Sequence, residues 1–208
     1  MNSKCVNVGM LETNCYIVDC DDLIMVIDPG DDVDSIIDAL DSKSPTHIVL
    51  THSHSDHVGA AKALHDRYPS SIVACGDKEN MDPEHIADEA RYVLGSSFIY
   101  SPLSKPGWAM PSIDLRLSEG STLGPFVVMH TPGHSAGSIC LYASVPGVLY
   151  SGDTLFHHSY GRTDIGGSDS QMYLSLIRLM KKLPPDTVVY PGHGDSTTIG
   201  SEKAYFRI

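Results

Sequence analysis

The sequence has no run of about 18 apolar residues, so nothing in it reads as a transmembrane helix. Its N-terminus has one lysine followed by alternating apolar and polar residues. It lacks the apolar stretch of roughly 7–15 residues that a secretory signal needs, and the expected compartment is the cytoplasm. Positive charge is scarce: 14 Lys and Arg stand against 26 Asp and Glu, a formal net charge of −12. Proteins that hold polyphosphates or anionic lipid do so by neutralising them with Lys and Arg. Neither a nucleic-acid partner nor a membrane partner is expected. The five cysteines (Cys5, Cys15, Cys20, Cys75 and Cys140) are odd in number and form no CxxC. They read as free thiols in a reducing compartment, mostly in apolar strand-like contexts where Cys acts as a small hydrophobe. No low-complexity tract or linker divides the 208 residues, a length that suits one domain at about 150 residues per domain.

Histidine, in contrast, is abundant. Eleven in 208 residues is a first pointer to metal, because imidazole is the commonest metal ligand.

The first third of the chain alternates elements. Val6–Val8, Cys15–Val18 and Leu23–Ile27 read as short strands, and Asp28-Pro29-Gly30 stops the third. Val33, Ile36, Ile37 and Leu40 share one helical face. His47–Leu50 reads as a buried strand that ends in the polar loop Thr51–Asp56. Val58, Ala61, Leu64 and Tyr68 give another helical face, stopped by Pro69, and Ile72–Cys75 is a strand. Such alternation predicts an α/β layer structure. The stretch from about 76 to 111 has a charged helical start at Pro83–Tyr92, then Gly, Ser and Pro, then the single Trp108. It reads as an insertion in one domain spanning 1–208, with Phe98, Tyr100, Trp108 and Met110 forming either a substrate wall or a small core of its own. Strands are then expected at Ile113–Leu117, Phe126–Met129, Ser138–Tyr142, Val148–Tyr150 and Thr187–Tyr190. A helix with Met172, Tyr173, Leu176, Leu179, Met180 and Leu183 on one face is expected between the last two, N-capped by Asp169.

The sharpest chemical signal is Thr51-His52-Ser53-His54-Ser55-Asp56-His57, four potential ligands between an apolar strand and a helix. Side chains two apart on a strand end point the same way, which aims His52 and His54 together. The turn into the helix aims Asp56 and His57 at an adjacent point. One ion does not comfortably take all four from so short a loop, so two metals are the natural reading. Three later turns each follow a strand and present one further candidate directly after a glycine: Gly133-His134, Gly152-Asp153 and Gly192-His193. Glycine there permits close backbone approach or positive φ.

With these residues in place, the sequence resembles the metallo-β-lactamase superfamily. Its HxHxDH motif is present as His52, His54, Asp56 and His57, and the later motifs match at His134, Asp153 and His193. The resemblance covers nearly the whole chain. It implies an αββα four-layer sandwich, two mixed β-sheets flanked by helices, with the site at one edge. It further implies that His52, His54 and His134 hold one metal, that Asp56, His57 and His193 hold a second, and that Asp153 bridges them. Asp56 and Asp153 would be the catalytic carboxylates.

Aspartate at the bridging position, where some lactamases use a thiolate, looks like the thioester-hydrolase branch. Thr13–Val18, Ile27–Gly30, Thr131–Ser135, Ser151–Phe156 and Tyr190–Gly194 look like glyoxalase II (hydroxyacylglutathione hydrolase). Tyr160-Gly161-Arg162-Thr163-Asp164 resembles the GRxD segment of small glyoxalase II-like proteins and of persulfide dioxygenases. The classical enzyme continues into a C-terminal helical domain that grips glutathione, whereas this sequence ends at Ile208. The resemblance therefore implies a metal-dependent hydrolase with two divalent ions, Zn2+ first and Fe or Mn next. A bridging hydroxide would attack the carbonyl of a small-molecule thioester of the hydroxyacylglutathione type. The alternative is a mononuclear iron persulfide dioxygenase, an oxidoreductase. Arg162 and Asp164 are candidate substrate anchors or a pair that pins their loop. Asp28 is a candidate for orienting a metal ligand or for capping the following turn.

Overall fold

A computed structural model describes all residues from Met1 to Ile208. The chain forms two compact units. One comprises Met1–Cys75 with Asn80–Arg116, the other Gly76–Glu79 with Leu117–Ile208.

The first unit is built on a six-stranded sheet of sequential order: β1 (Asn2–Val8), β2 (Thr13–Cys20), β3 (Leu23–Ile27), β4 (His47–Leu50), β5 (Ile72–Gly76) and β6 (Leu115–Leu117). β1, β2 and β3 pair antiparallel, then β3, β4 and β5 parallel. The parallel part has crossover helices, as parallel pairing requires: α1 (Val33–Ala39) precedes β4, and α2 (Ser55–Val58) and α3 (Ala61–Arg67) precede β5. The expected helical face from Val58 to Tyr68 is thus split at Gly59 and Ala60. Here the chain touches the β3 exit loop, with Ala60 N–H donating to the Pro29 carbonyl at 3.0 Å. A Cβ on Gly59 would meet the Gly30 carbonyl at 2.4 Å. The core joins alternate strand residues (Cys15, Ile17, Val26, Ile48, Leu50, Val73, Cys75) to the inner helix residues Ile36, Leu40, Val58, Ala61 and Leu64.

The residues expected as an insertion form α4 (Pro83–Leu94) and two short 3-10 turns. Met81, Ile86, Ala87, Ala90 and Leu103 are buried in the same core, and Phe98, Trp108 and Met110 pack against it. Trp108 Nε1 donates to the Gly59 carbonyl at 3.0 Å. Three of the four side chains considered for a substrate wall therefore hold this segment down, while Tyr100 is exposed.

The second unit has the order β12-β11-β10-β9-β8-β7, from β7 (Thr122–Leu123), β8 (Phe126–His130), β9 (Ile139–Ala143), β10 (Val148–Gly152), β11 (Val188–Pro191) and β12 (Thr197–Thr198). Only β10 and β11 are parallel, and α5 (Asp169–Lys182) is the crossover between them. α5 buries Met172, Leu176, Leu179 and Met180 against Met129, Cys140, Leu149 and Val189. Its N-cap is Ser168, whose hydroxyl accepts from Gln171 N–H, and not Asp169 as expected. Asp169 lies in the first turn, where its charge complements the helix dipole. The chain closes with α6 (Ile199–Phe206), which the sequence reading did not anticipate.

Candidate metal centre

In the first unit the donors follow β4. The strand ends at Leu50, His52 and His54 lie in the loop, and α2 carries Asp56 and His57 in its first turn. The rings of His52 and His54 are 4.8 Å apart, and those of His52 and His57 4.1 Å. Within this unit the His52 ring thus lies beside those of both His54 and His57. The loop after β3 supports them from behind. A Cβ on Gly30 would sit 1.6 Å from the Asp56 carbonyl oxygen, so only glycine lets this loop lie against α2.

Asp28 organises the group. It is buried and held at φ 54°. Its Oδ1 accepts from Thr51 N–H at 2.8 Å, and its Oδ2 accepts from the Thr51 hydroxyl at 2.7 Å. His57 Nδ1 lies 2.9 Å from the same Oδ2. A carboxylate at neutral pH only accepts, so the His57 proton is on Nδ1 and its Nε2 carries a lone pair. The Thr51 hydroxyl uses its only proton to donate to Asp28. It therefore accepts from His52 Nδ1 at 3.0 Å, which leaves the lone pair of His52 on Nε2. Thr13 hydroxyl donates to Asp56 Oδ2 at 3.3 Å.

The second unit repeats this logic with His134, Asp153 and His193. All three come from turns that follow β8, β10 and β11. His134 Nδ1 lies 2.6 Å from the Arg162 carbonyl oxygen, which again fixes the proton on Nδ1 and the lone pair on Nε2. His134 Nε2 is 3.4 Å from Asp153 Oδ2, and His193 Nε2 is 3.6 Å from the same oxygen. The Arg162 loop reaches this position because residue 161 is glycine. A Cβ there would meet the Asp153 carbonyl at 2.2 Å and His134 Nδ1 at 2.8 Å.

These distances test whether the donors suit metal. His57 Nε2 lies 3.4 Å from Asp56 Oδ2, and His134 Nε2 lies 3.4 Å from Asp153 Oδ2. With the proton on Nδ1, both set an imidazole lone pair against a carboxylate oxygen, two electron-pair donors that a cation between them would reconcile. Two ligands on one first-row ion, each about 2.0–2.2 Å from it, stand about 3.3–3.5 Å apart in tetrahedral geometry. One pair in each set therefore has the spacing of metal ligands, and His52, His57 and His134 have the tautomer that a metal takes.

Arg162 and Asp164 form a bidentate pair, Nε to Oδ1 and Nη2 to Oδ2, each 2.7 Å, on the surface. The guanidinium holds the Asp164 carboxyl down at about 2. The sequence reading missed the parts played by Thr13, Thr51 and the Arg162 carbonyl. Thr51 was readable only as the start of the polar loop after β4, and a backbone carbonyl leaves no residue signature.

Two mixed sheets, each flanked by helices, with a His/Asp donor set in turns at strand ends, define a metallo-hydrolase architecture. Residues 8–193 match the family model described as "Metallo-beta-lactamase superfamily", and the chain belongs to that superfamily. It is similar to the Haemophilus influenzae protein named hydroxyacylglutathione hydrolase GloC, 31% identical over 98% of this chain and 95% of that one. It is also similar to the Bacillus subtilis protein named probable metallo-hydrolase YqgX, 31% identical over 94% of this chain and 92% of the other. Among solved structures it resembles TTHA1623 in a di-iron-bound form, with TM-score 0.81, 34% identity and 96% of each chain covered. ETHE1 from Myxococcus xanthus gives TM-score 0.72 and 26% identity, covering 99% of this chain and 83% of that one. The fold class expected from the sequence is the fold observed. No helix is long and apolar enough to cross a membrane.

Proposed function

We propose that the two donor sets serve one binuclear centre and that the protein hydrolyses small-molecule thioesters of the hydroxyacylglutathione type. In this reading His52, His54 and His134 hold one divalent ion, Asp56, His57 and His193 hold the other, and Asp153 is shared. Zinc is the first candidate, with iron and manganese suited to the same N/O donors. The observation that carries the reading is Asp153. A carboxylate, not a thiolate, stands 3.4 and 3.6 Å from two imidazole nitrogens, as in the thioester-hydrolase pattern that the sequence resembles. The relative named hydroxyacylglutathione hydrolase supports the same substrate class.

Bound divalent ions supply Lewis acidity and a water acidified toward neutrality. The chain's own residues supply the rest. Asp28 and Thr51 keep the lone pairs of His57 and His52 on Nε2, and the Arg162 carbonyl does this for His134. Thr13 holds one oxygen of Asp56. A thiolate leaving group is a weak base, so the reaction needs no strong general acid. Arg162, whose backbone holds His134, puts its guanidinium and Asp164 at the surface as substrate anchors.

Metal analysis of the purified protein, paired with assays on S-lactoylglutathione and simpler thioesters, tests this. Asp56→Ala should lose turnover and about half of its bound metal. Near wild-type hydrolysis by that variant would refute the two-metal reading. An iron-only protein with one metal per chain that consumes oxygen with glutathione persulfide would instead establish the dioxygenase.

A further inference from the structure

A second cluster of metal-ligating groups lies in the second unit, apart from the seven residues above. One ring nitrogen each of His157 and His158 and a carboxylate oxygen of Glu202 all lie within 4.8 Å of one another. We propose that these three residues form an additional site for a borderline divalent ion such as Zn2+.

Two features build it. The first is the backbone of His158, which is left-handed at φ 57°. Consecutive side chains in an extended segment point to opposite sides. The left-handed residue instead turns both rings the same way, with centroids 4.1 Å apart. The His158 ring also stacks on Tyr205 of α6, 4.4 Å away and 11° from parallel, which fixes its orientation.

The second feature is Glu202, in the first turn of α6. Its side chain is 0% exposed. A buried carboxylate is costly unless its charge is balanced. Its hydrogen bonds come from two neutral donors: Thr197 hydroxyl to Oε1 at 2.6 Å and His158 N–H to Oε2 at 2.9 Å. No Lys or Arg pairs with it, and the group nearest to an ionic partner is His158 Nε2 at 4.0 Å. The carboxylate is thus buried on the protein side, while two exposed imidazoles form the solvent side of the cluster. Two imidazoles and one carboxylate are a donor set for zinc, nickel or copper rather than for magnesium or calcium. Ligand atoms on one such ion stand about 3.3–3.5 Å apart in tetrahedral geometry. Rotation of the exposed His157 ring, with a small slide of the His158 ring within its stack on Tyr205, would close the remaining gap, and water would complete the coordination. A bound ion would tie the 156–158 segment to α6. Phe156, next in the chain, packs edge-on against His193 at 5.9 Å, so the ion would stiffen a neighbour of the proposed centre.

The test uses untagged full-length protein, loaded with zinc, desalted, and titrated calorimetrically with zinc chloride. Wild-type protein should take up one further equivalent. His157→Ala alters only an exposed side chain and should weaken that uptake at least ten-fold. His158→Asn, which tolerates the left-handed backbone, should do the same. The uptake should persist in Asp56→Ala protein, which separates it from the centre described above. The proposal is overturned if wild-type protein takes up no further equivalent. It is equally overturned if both His157→Ala and His158→Asn bind that equivalent as tightly as wild type.

Discussion

Replacing Asp28 with asparagine probes the lone-pair assignment at its most sensitive point. The carboxylate accepts three hydrogen bonds, one at Oδ1 and two at Oδ2, of 2.7–2.9 Å. An amide of the same shape must place its NH2 at one of those oxygens. At Oδ1 it would face Thr51 N–H, a donor that cannot turn away. At Oδ2 it would face the Thr51 hydroxyl, which can rotate to accept, and His57 Nδ1, which can accept only by losing its proton. The second arrangement costs less. It moves the His57 proton to Nε2, where it faces Asp56 Oδ2 at 3.4 Å and occupies the electron pair that a metal requires. Loss of one charge-assisted hydrogen bond costs about 1.5–3 kcal/mol of fold stability. Loss of such a supporting partner lowers metal affinity about 10–100-fold, or roughly 1.4–2.7 kcal/mol. Competition for zinc against a chromophoric chelator reads the affinity. Two-dimensional imidazole 15N correlation spectra of the metal-free protein read the tautomer directly. Asp28→Asn protein that binds zinc as tightly as wild type, with the His57 proton still on Nδ1, would refute the reasoning.

Two further outcomes follow from packing. Gly161→Ala places a Cβ 2.2 Å from the Asp153 carbonyl and 2.8 Å from His134 Nδ1. Overpacking of this kind costs about 1–3 kcal/mol. Thermal denaturation should show a Tm lower by roughly 2–12 °C at this chain length, with zinc affinity reduced because His134 is displaced. Among the five free thiols, Cys5 is exposed and Cys20 partly exposed, whereas Cys15, Cys75 and Cys140 are buried. Burial pushes the Cys140 thiol up to about 11 and raises Cys15 well above its usual range. Since the thiolate is the reacting form, an aromatic disulfide reagent at pH 8 should label no more than two thiols in the native protein and five after unfolding. Rapid labelling of all five without unfolding would contradict the buried placement.

Much of the fold was legible in the sequence because its periodicities are clean. Ile36 and Leu40 mark α1, the run His47–Leu50 marks β4, and Met172, Leu176 and Leu179 mark α5. What escaped depends on long-range geometry. The break between α2 and α3 comes from the approach of Pro29 and Gly30, some thirty residues earlier, and leaves no gap in the apolar pattern. α6 has a glycine in its first turn and buries a glutamate, so it shows no apolar stripe. Ser168 and Asp169 are both good capping residues, and only the backbone decides which one serves. The donor residues were readable from their spacing. Their protonation was not, because it depends on Asp28, Thr51 and a carbonyl, which become neighbours only when β3 pairs with β4 and when the 161–162 loop closes on His134.

Locking ring protons through the protein's own hydrogen bonds has a consequence for assembly. Each sheet carries an apolar core built wholly from protein side chains, and the imidazoles of His52, His57 and His134 are already set in the form that a cation accepts. Folding and ion capture are therefore expected to be separable events. In a zinc finger the metal is part of the folding reaction and its removal unfolds the chain. In this architecture an ion is expected to arrive at a preformed receptacle, so chelation should remove it, and another ion should replace it, without unfolding the polypeptide.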